Sequence, residues 1–489
     1  MSAQDALWLA MDRPNNLMVV DGALVLAGVP DLETVRAVFR TAVDRFPVLR
    51  RRAVRRGTGW TWQDDPDFDL DRLVTDVRLP EPRDMAALQR FVAEQRAVPL
   101  DRDGPLWRGL LVHPLRLDDD VEAAAVVTRF HHAIADGVRL TQVMLSMLRD
   151  DRASAPSPVT ESRFARGGAD APSTPAPGRR GPVRSGLHGM AGLVRAAGRA
   201  AGPFVEAAVD PVGTLASIPR AAIAVPLRAA SALSSVAKLT LAGSPRTVWS
   251  GTPGVAKAMA WSRPLPLTSI KAVGRAQGAT INDVLLAAVA GGLRRYLAIH
   301  GDSVDEVNWM VPVNLKPFED NLPAELGNYF ALVMLPMPLG PADPAARVRE
   351  MHRRMERIKG SDEATLTFGF QRLLSMTPGQ VSFPLTNFFA NKTVGVLTNV
   401  PGPRGPMSFA GVPVVQVVGF APCSGDNPLS ATIFSYDGAV TVGFSTDAGL
   451  IPDPEVLAGC VVDELGAIQA TLGPALVRRP RRRAAPRPR

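Results

Sequence analysis

The chain has 489 residues, 46% hydrophobic and 21% charged, with a formal net charge of +8. That hydrophobic content supplies a sizeable core and excludes a globally disordered chain, and at about 150 residues per domain the length corresponds to about three units or two large lobes. Two cysteines, Cys423 and Cys460, are too few for a disulfide framework and fit a reducing, cytoplasmic setting.

The charge is unevenly placed. Residues 179–246 carry nine Lys/Arg against two acids, net +7, and residues 478–489 carry seven Arg and no acid, so the remainder is net −6. Basic appendages on an acidic body argue against nucleic acid as the main partner and allow an anionic membrane surface or non-specific polyanions. The opening MSAQDALWLAMDRPNN bears Asp5 and Asp12 and no long apolar run, so it does not read as a secretory signal. The uncharged stretch from Gly405 to Gly425 is broken by Pro406, Pro413 and Pro422, so it reads as short strands and turns, not as a membrane span.

In chain order, residues 1–150 mix strands and helices. MVVDGALVLAG (18–28) predicts a strand, and DLETVRAVFRTAVDRF (31–46) predicts a helix, with Val35, Val38, Phe39, Ala42, Val43 and Phe46 at helical spacing. EAAAVVTRF, ending at Phe130, is an extended apolar run. Leu140, Val143, Met144, Met147 and Leu148 then form a helical stripe. Residues 151–182, rich in Ser, Pro, Ala, Gly and Arg, read as a disordered linker. Over 183–245, apolar residues alternate with isolated basic ones and prolines. Short amphipathic helices are expected there, lying on a membrane surface or packing on the body, within a 151–250 connecting region. Residues 251–475 form a second mixed region, with helices at 280–297, 343–358 and 453–468 and a strand at 439–447. The order is α/β in both halves, and residues 476–489 form an Arg-rich tail.

The stretch RFHHAIADGVRL (129–140) concentrates chemistry. His131 and His132 follow an extended run, so alternation points them opposite ways. They then make a poor pair for one metal, and no third and fourth ligand accompanies them, so no metal site is expected. One faces a pocket and the other the scaffold. Asp136 and Gly137 shape the strand-to-helix turn, Asp by accepting turn amides or pairing with an Arg, Gly by close backbone approach or a positive φ. A neutral imidazole is the natural general base near neutral pH. The alternative is that both histidines only complete the core or the turn.

HHAIADG fits the His-His-three residues-Asp-Gly pattern of the CoA-dependent acyltransferase superfamily, which includes chloramphenicol acetyltransferase and peptide-synthetase condensation domains. Four further stretches narrow the resemblance. SAQDALWLAMDRPNNLMVV resembles the N-terminal pattern of bacterial wax ester synthase/diacylglycerol acyltransferases. Pro105-Leu106-Trp107 resembles their PLW motif, Asn282-Asp283 their ND motif, and Asn399-Val400-Pro401-Gly402-Pro403 their NVPGP motif. The likeness spans about 1–150 and 250–470. The connecting region and the tail stand outside it.

Each secondary motif has a structural alternative. Asp283, three residues after Thr280, reads as part of a capping box. Asn282 either stands beside that cap or donates to a developing oxyanion at the helix start. Trp107 reads as an anchor, and Asn399 to Pro403 reads locally as a tight turn. Lining of an acyl or CoA channel by that segment is implied by the resemblance alone.

The resemblance implies two chloramphenicol-acetyltransferase-like lobes with a substrate tunnel between them. It implies transfer of a long-chain acyl group from acyl-CoA, as co-substrate and with no further cofactor, to diacylglycerol or a long-chain alcohol. His132 would be the general base, His131, Asp136 and Gly137 would hold the turn, and no covalent acyl-enzyme would form. The chain has no G-x-S-x-G nucleophile elbow. A cytoplasmic enzyme, peripheral on the inner membrane face or on lipid droplets, is expected, with no nucleic-acid partner. Nothing in the sequence specifies an oligomeric state. The competing readings are a condensation-type or polyketide-associated acyltransferase using a carrier-protein thioester, and a non-catalytic lipid-droplet-binding relative.

Overall fold

The computed structural model describes residues 1–57, 59–117, 121–150, 243–314, 322–328, 330–360 and 386–477. The linker expected at 151–182, the amphipathic helices expected over 183–245 (as far as residue 242) and the tail from residue 478 lie outside the described residues.

The first half runs α1 (Ala3–Met11), β1 (Val19–Leu26), α2 (Leu32–Arg45), β2 (Arg51–Arg56), β3 (Gly59–Asp64), α3 (Leu70–Leu73), β4 (Val74–Arg78), α4 (Met85–Arg96), β5 (Trp107–Arg116), β6 (Glu122–His131), α5 (Gly137–Ser146) and β7 (Arg149–Asp150). The second half runs β8 (Lys257–Trp261), β9 (Leu265–Pro266), α6 (Leu267–Gln277), α7 (Ile281–Ile299), β10 (Glu306–Asn314), β11 (Phe330–Pro338), α8 (Pro344–Lys359), β12 (Gly395–Pro401), β13 (Met407–Phe409), β14 (Val412–Phe420), β15 (Leu429–Tyr436), β16 (Ala439–Asp447) and α9 (Pro454–Val477).

Two large sheets organise these elements into two α/β lobes. The first has strand order β4-β5-β6-β1-β14-β13-β7, and the second β11-β10-β12-β15-β16-β8, with β9 also on β16. The first sheet therefore takes two strands, β13 and β14, from the C-terminal half, a crossover that a linear division of the chain leaves out. β14 pairs antiparallel with β1, placing Gly22 opposite Gly419.

The apolar run in β6 is continuous because both faces of the strand are covered. Ala124 and Val126 pack with α2 and α5, whereas Ala123, Ala125 and Val127 pack with Leu88, Phe91 and Val92 of α4. The second of these clusters extends to Met259 and Trp261 of β8 and so joins the two sheets. The Gln89 side chain adds a 3.1 Å hydrogen bond to the Trp261 carbonyl. In the second lobe α7 lies against α9 at glycines. A Cβ on Gly292 would fall 2.3 Å from the Val461 side chain, so only glycine permits this approach.

Candidate active site

The site is built where β6 ends. The His131 amide donates to the Leu106 carbonyl at 2.9 Å and the His132 amide to the Met18 carbonyl at 2.7 Å, which fixes the turn between β5 and the start of β1. Pro105-Leu106-Trp107 lies behind this turn. Trp107 is 1% exposed, donates through Nε1 to the Leu49 carbonyl at 2.6 Å, and stacks between Phe39 and Phe130. Asp136 ends the turn as the cap of α5, its Oδ1 accepting the Arg139 amide at 2.9 Å.

The two imidazoles face opposite ways. His131 is turned into the scaffold. Its Nδ1 accepts the Ala133 amide at 3.0 Å, which leaves the proton on Nε2, 3.4 Å from Asp12 Oδ2. Burial pushes the His131 imidazole down despite Asp12. Burial opposes the Asp12 charge in turn, but His131, the Met18 amide and Arg102 outweigh it and hold the carboxyl below its usual range. The pair therefore rests as a carboxylate beside a neutral ring.

His132 faces a cleft between the lobes, open to solvent. One wall is β1, β6 and the first half of α5. The other is formed by Met310 and Pro312 of β10, Leu332 of β11 and Val396, Thr398, Asn399 and Val400 of β12. The His132 ring lies 4.2 Å from Trp8 and 5.5 Å from Phe330, centroid to centroid. Its Nδ1 is buried with no hydrogen-bond partner among the described residues. Burial lowers its pKa to about 4, against a small opposing contribution from its own carbonyl and the Asn328 side chain. The imidazole is thus neutral throughout the physiological range.

The structure brings only part of the predicted set to this cleft. His132, Asp136, Gly137, Asn399 and Val400 line it, whereas His131, Pro105, Leu106, Trp107, Asn282, Asp283, Pro401, Gly402 and Pro403 do not. Asn282 and Asn399 nevertheless meet. Asn399 Nδ2 donates to Asn282 Oδ1 at 2.7 Å, so the ND segment reaches the cleft through Asn399. Asp283 completes the capping box of α7 with Thr280 and also bonds His352 Nδ1 on α8 at 2.8 Å.

Two local expectations are corrected. Asn399 to Pro401 is not a turn but the end of β12, paired parallel with β15 as far as Pro401 opposite Ser435. Among the described residues β10 pairs with β12 only at Gly395 and Val396, so Pro401 interrupts no ladder with β10. The glycine requirement sits one residue later, since a Cβ on Gly402 would meet the Ser435 carbonyl at 2.2 Å. Gly137 needs neither a positive φ nor close backbone, because a Cβ there would meet nothing within 4 Å. It leaves the cleft open at the start of α5.

The residues that sequence reasoning missed come mostly from α1. Asp5, Trp8 and Asp12 recur at steps of three and four, and each touches the histidine turn. Trp8 packs on His132 and Asp12 faces His131. Asp5 accepts Asn328 Nδ2 at 2.8 Å, while the same amide donates to the His132 carbonyl at 3.0 Å. The available signal was two acids and a tryptophan on one face of an otherwise apolar helix.

Residues 1–285 match the wax ester synthase/diacylglycerol acyltransferase catalytic domain, and residues 326–469 match the WS/DGAT C-terminal domain. The chain is 27% identical over 420 residues to a Mycobacterium tuberculosis protein named as a probable diacylglycerol O-acyltransferase, tgs1, covering 84% of this chain and 81% of that one. A second M. tuberculosis protein bearing the same activity in its name is 27% identical over 465 residues, covering 92% and 87%. In fold, the chain is similar to a wax ester synthase/diacylglycerol acyltransferase from Marinobacter aquaeolei VT8, with TM-score 0.63 and 18% identity over 97% of this chain and 99% of that one. It is also similar to the first condensation domain of the calcium-dependent antibiotic synthetase, with TM-score 0.57 and 17% identity over 96% of each chain.

Proposed function

This chain belongs to the wax ester synthase/diacylglycerol acyltransferase family, and from that membership we propose that it moves a long-chain acyl group from acyl-CoA to the hydroxyl of diacylglycerol or a long-chain alcohol, with His132 as general base. One observation carries the assignment to His132: its neutral imidazole lines the cleft, whereas that of His131 is turned into the scaffold toward Asp12. Of the other ionisable groups along the cleft, burial pushes the Cys423 thiol up and keeps it protonated, and the two carboxylates have prior commitments. Asp21 holds Arg96 and Arg129 at 2.5 and 3.0 Å, and Asp136 caps α5.

The chemistry needs no covalent enzyme intermediate. His132 takes the hydroxyl proton as the alcohol oxygen bonds to the thioester carbonyl carbon. The carbon–sulfur bond then breaks, and the imidazolium returns the proton to the CoA sulfur. The ordered turn supplies the rest by positioning, since a hydroxyl, a carbonyl and an imidazole held in register gain much of the rate. His131, held by Asp12 and the Ala133 amide, fixes the turn that presents its neighbour. Asn282 and Asn399 act at the cleft edge as positioning residues.

The test is ester formation by wild type and His132→Ala, with palmitoyl-CoA offered diolein or hexadecanol. Ester from wild type and none from the folded variant supports the proposal and ranks the acceptors. No ester from folded wild type with either acceptor overturns it.

Both lipid substrates partition into membranes, so the proposal includes peripheral attachment to the inner membrane face or to lipid droplets. No helix among the described residues is long and apolar enough to cross a membrane. The net +7 segment at 179–246 would supply attraction to an anionic leaflet, at about 1 kcal/mol per basic residue near the surface. Liposome binding that survives deletion of 183–245 would overturn that role.

A further inference from the structure

The face of the first sheet beneath α5 has an unusual level. Cross-strand neighbours on β6, β1 and β14 there are Thr128, Gly22 and Gly419. The level toward His132 carries Phe130 and Val20, and the level beyond carries Val126, Leu24 and Val417. A row of one threonine and two glycines thus lies between rows of large side chains, across the middle strands of the sheet. In a strand this is costly, because glycine neither packs nor restrains the backbone.

The two glycines differ in what surrounds them. A Cβ on Gly22 would meet Thr128 Oγ1 at 3.0 Å and Met144 Sδ at 3.2 Å, so Met144 of α5 roofs that end. A Cβ on Gly419 would meet only the Asp21 carbonyl, at 3.7 Å, with no side chain within 4 Å. Both glycines, Thr128 and Met144 line the cleft that holds His132. Beyond them Leu24 and Val126 are fully buried in the core, so the cleft is closed at that depth. Thr128 is four residues before His132, about 13 Å along the strand at roughly 3.3 Å per residue.

We propose that the Thr128–Gly22–Gly419 row, roofed by Met144, is a trough that receives the linear alkyl chain of one of the two lipid substrates and sets its length. This rests on the acyltransferase reading of the same cleft. The trough matches an alkyl chain by shape and chemistry. It is floored by backbone, the flexible Met144 thioether, which rests 3.6 Å from Thr128 Oγ1, swings aside to admit the chain, and Leu24 and Val126 close it beyond. Each methylene buried there strengthens binding about fourfold. Donor and acceptor both carry such a chain, and the experiment separates them.

Gly419→Val fills the open end of the row with a residue that strands favour, whereas Met144→Ala deepens the trough. The kcat/KM profile would be measured with octanoyl-, lauroyl- and palmitoyl-CoA against one acceptor, then with octanol, dodecanol and hexadecanol against one donor. Displacing two to three methylenes should lower the long-chain value about 15- to 60-fold and move the maximum to shorter chains in Gly419→Val. Met144→Ala should move it the other way. The series that shifts identifies whose chain occupies the trough. Unmoved profiles in both series, from folded variants that turn over, overturn the proposal. Displacement of a fluorescent fatty acid by free palmitate and by hexadecanol separates this from the acyltransferase reading. If wild type forms no ester, weaker displacement in Gly419→Val still supports the trough, and displacement equal to wild type overturns it.

Discussion

Acidification tests the environment assigned to His132. Its pKa is lowered from 6.5 to about 4, chiefly by burial. The base form is required, so kcat/KM in the free enzyme should follow the neutral fraction. At about pH 5.5, a group titrating near 4 is about 97% neutral, whereas an ordinary histidine is about 9% neutral. The activity limb should therefore stay flat through the mildly acidic range and fall with a midpoint near 4. The assay is initial CoA thiol release at subsaturating palmitoyl-CoA across that range, with folding monitored in parallel. The same burial has a thermodynamic counterpart. As pH falls below 6.5 the unfolded chain takes up the proton first, so stability present above 6.5 is lost progressively between 6.5 and about 4, by about 3 kcal/mol in all. Denaturation of His132→Leu beside wild type isolates that difference, and the variant should lose less stability on acidification. An activity midpoint near 6.5 would mean a hydrated imidazole, and the argument from burial would fail.

Three further outcomes are expected. Asp136→Ala removes the cap of α5 and should cost about 1 kcal/mol, read as a lower denaturation midpoint, with kcat falling because the turn loosens. Trp107→Phe strands the Leu49 carbonyl and should cost about 1–3 kcal/mol by chemical denaturation; a smaller change would mean that the hydrogen bond is replaced. In a double-mutant cycle on kcat/KM, Asn282→Ala and Asn399→Ala should couple by about 0.5–1.5 kcal/mol, because each removes the same 2.7 Å bond. Strict additivity would separate the two motifs.

What the sequence disclosed followed period and capping. The strand expected at 439–447 is β16 in full, and the helix expected from residue 280 is α7, capped by Thr280. Both signals are local, since alternation and caps are decided by neighbours. The opposed histidines were legible for the same reason, because alternation along a strand fixes direction. The NVPGP segment misled because two prolines around a glycine normally break a ladder, and only the parting of β10 from β12, a long-range fact, lets a strand continue there. The contribution of α1 was hidden for a related reason. Its polar face becomes meaningful only when folding carries Asp5 beside Asn328, 323 residues away.

The pairing of β14 with β1 bears on how lipid could enter and leave. A hinge that swung the two halves apart would have to unzip a ladder running from Asp21–Phe420 to Leu26–Val414 in the interior of the first sheet. Backbone pairs of that kind open only with local unfolding. The molecule is in this sense sewn shut, and traffic through the cleft falls to movements that leave the seam intact. Among the described residues β10 and β12 part after Met310–Val396, and Asn399 stands on the β12 side of that divergence, where a latch would sit.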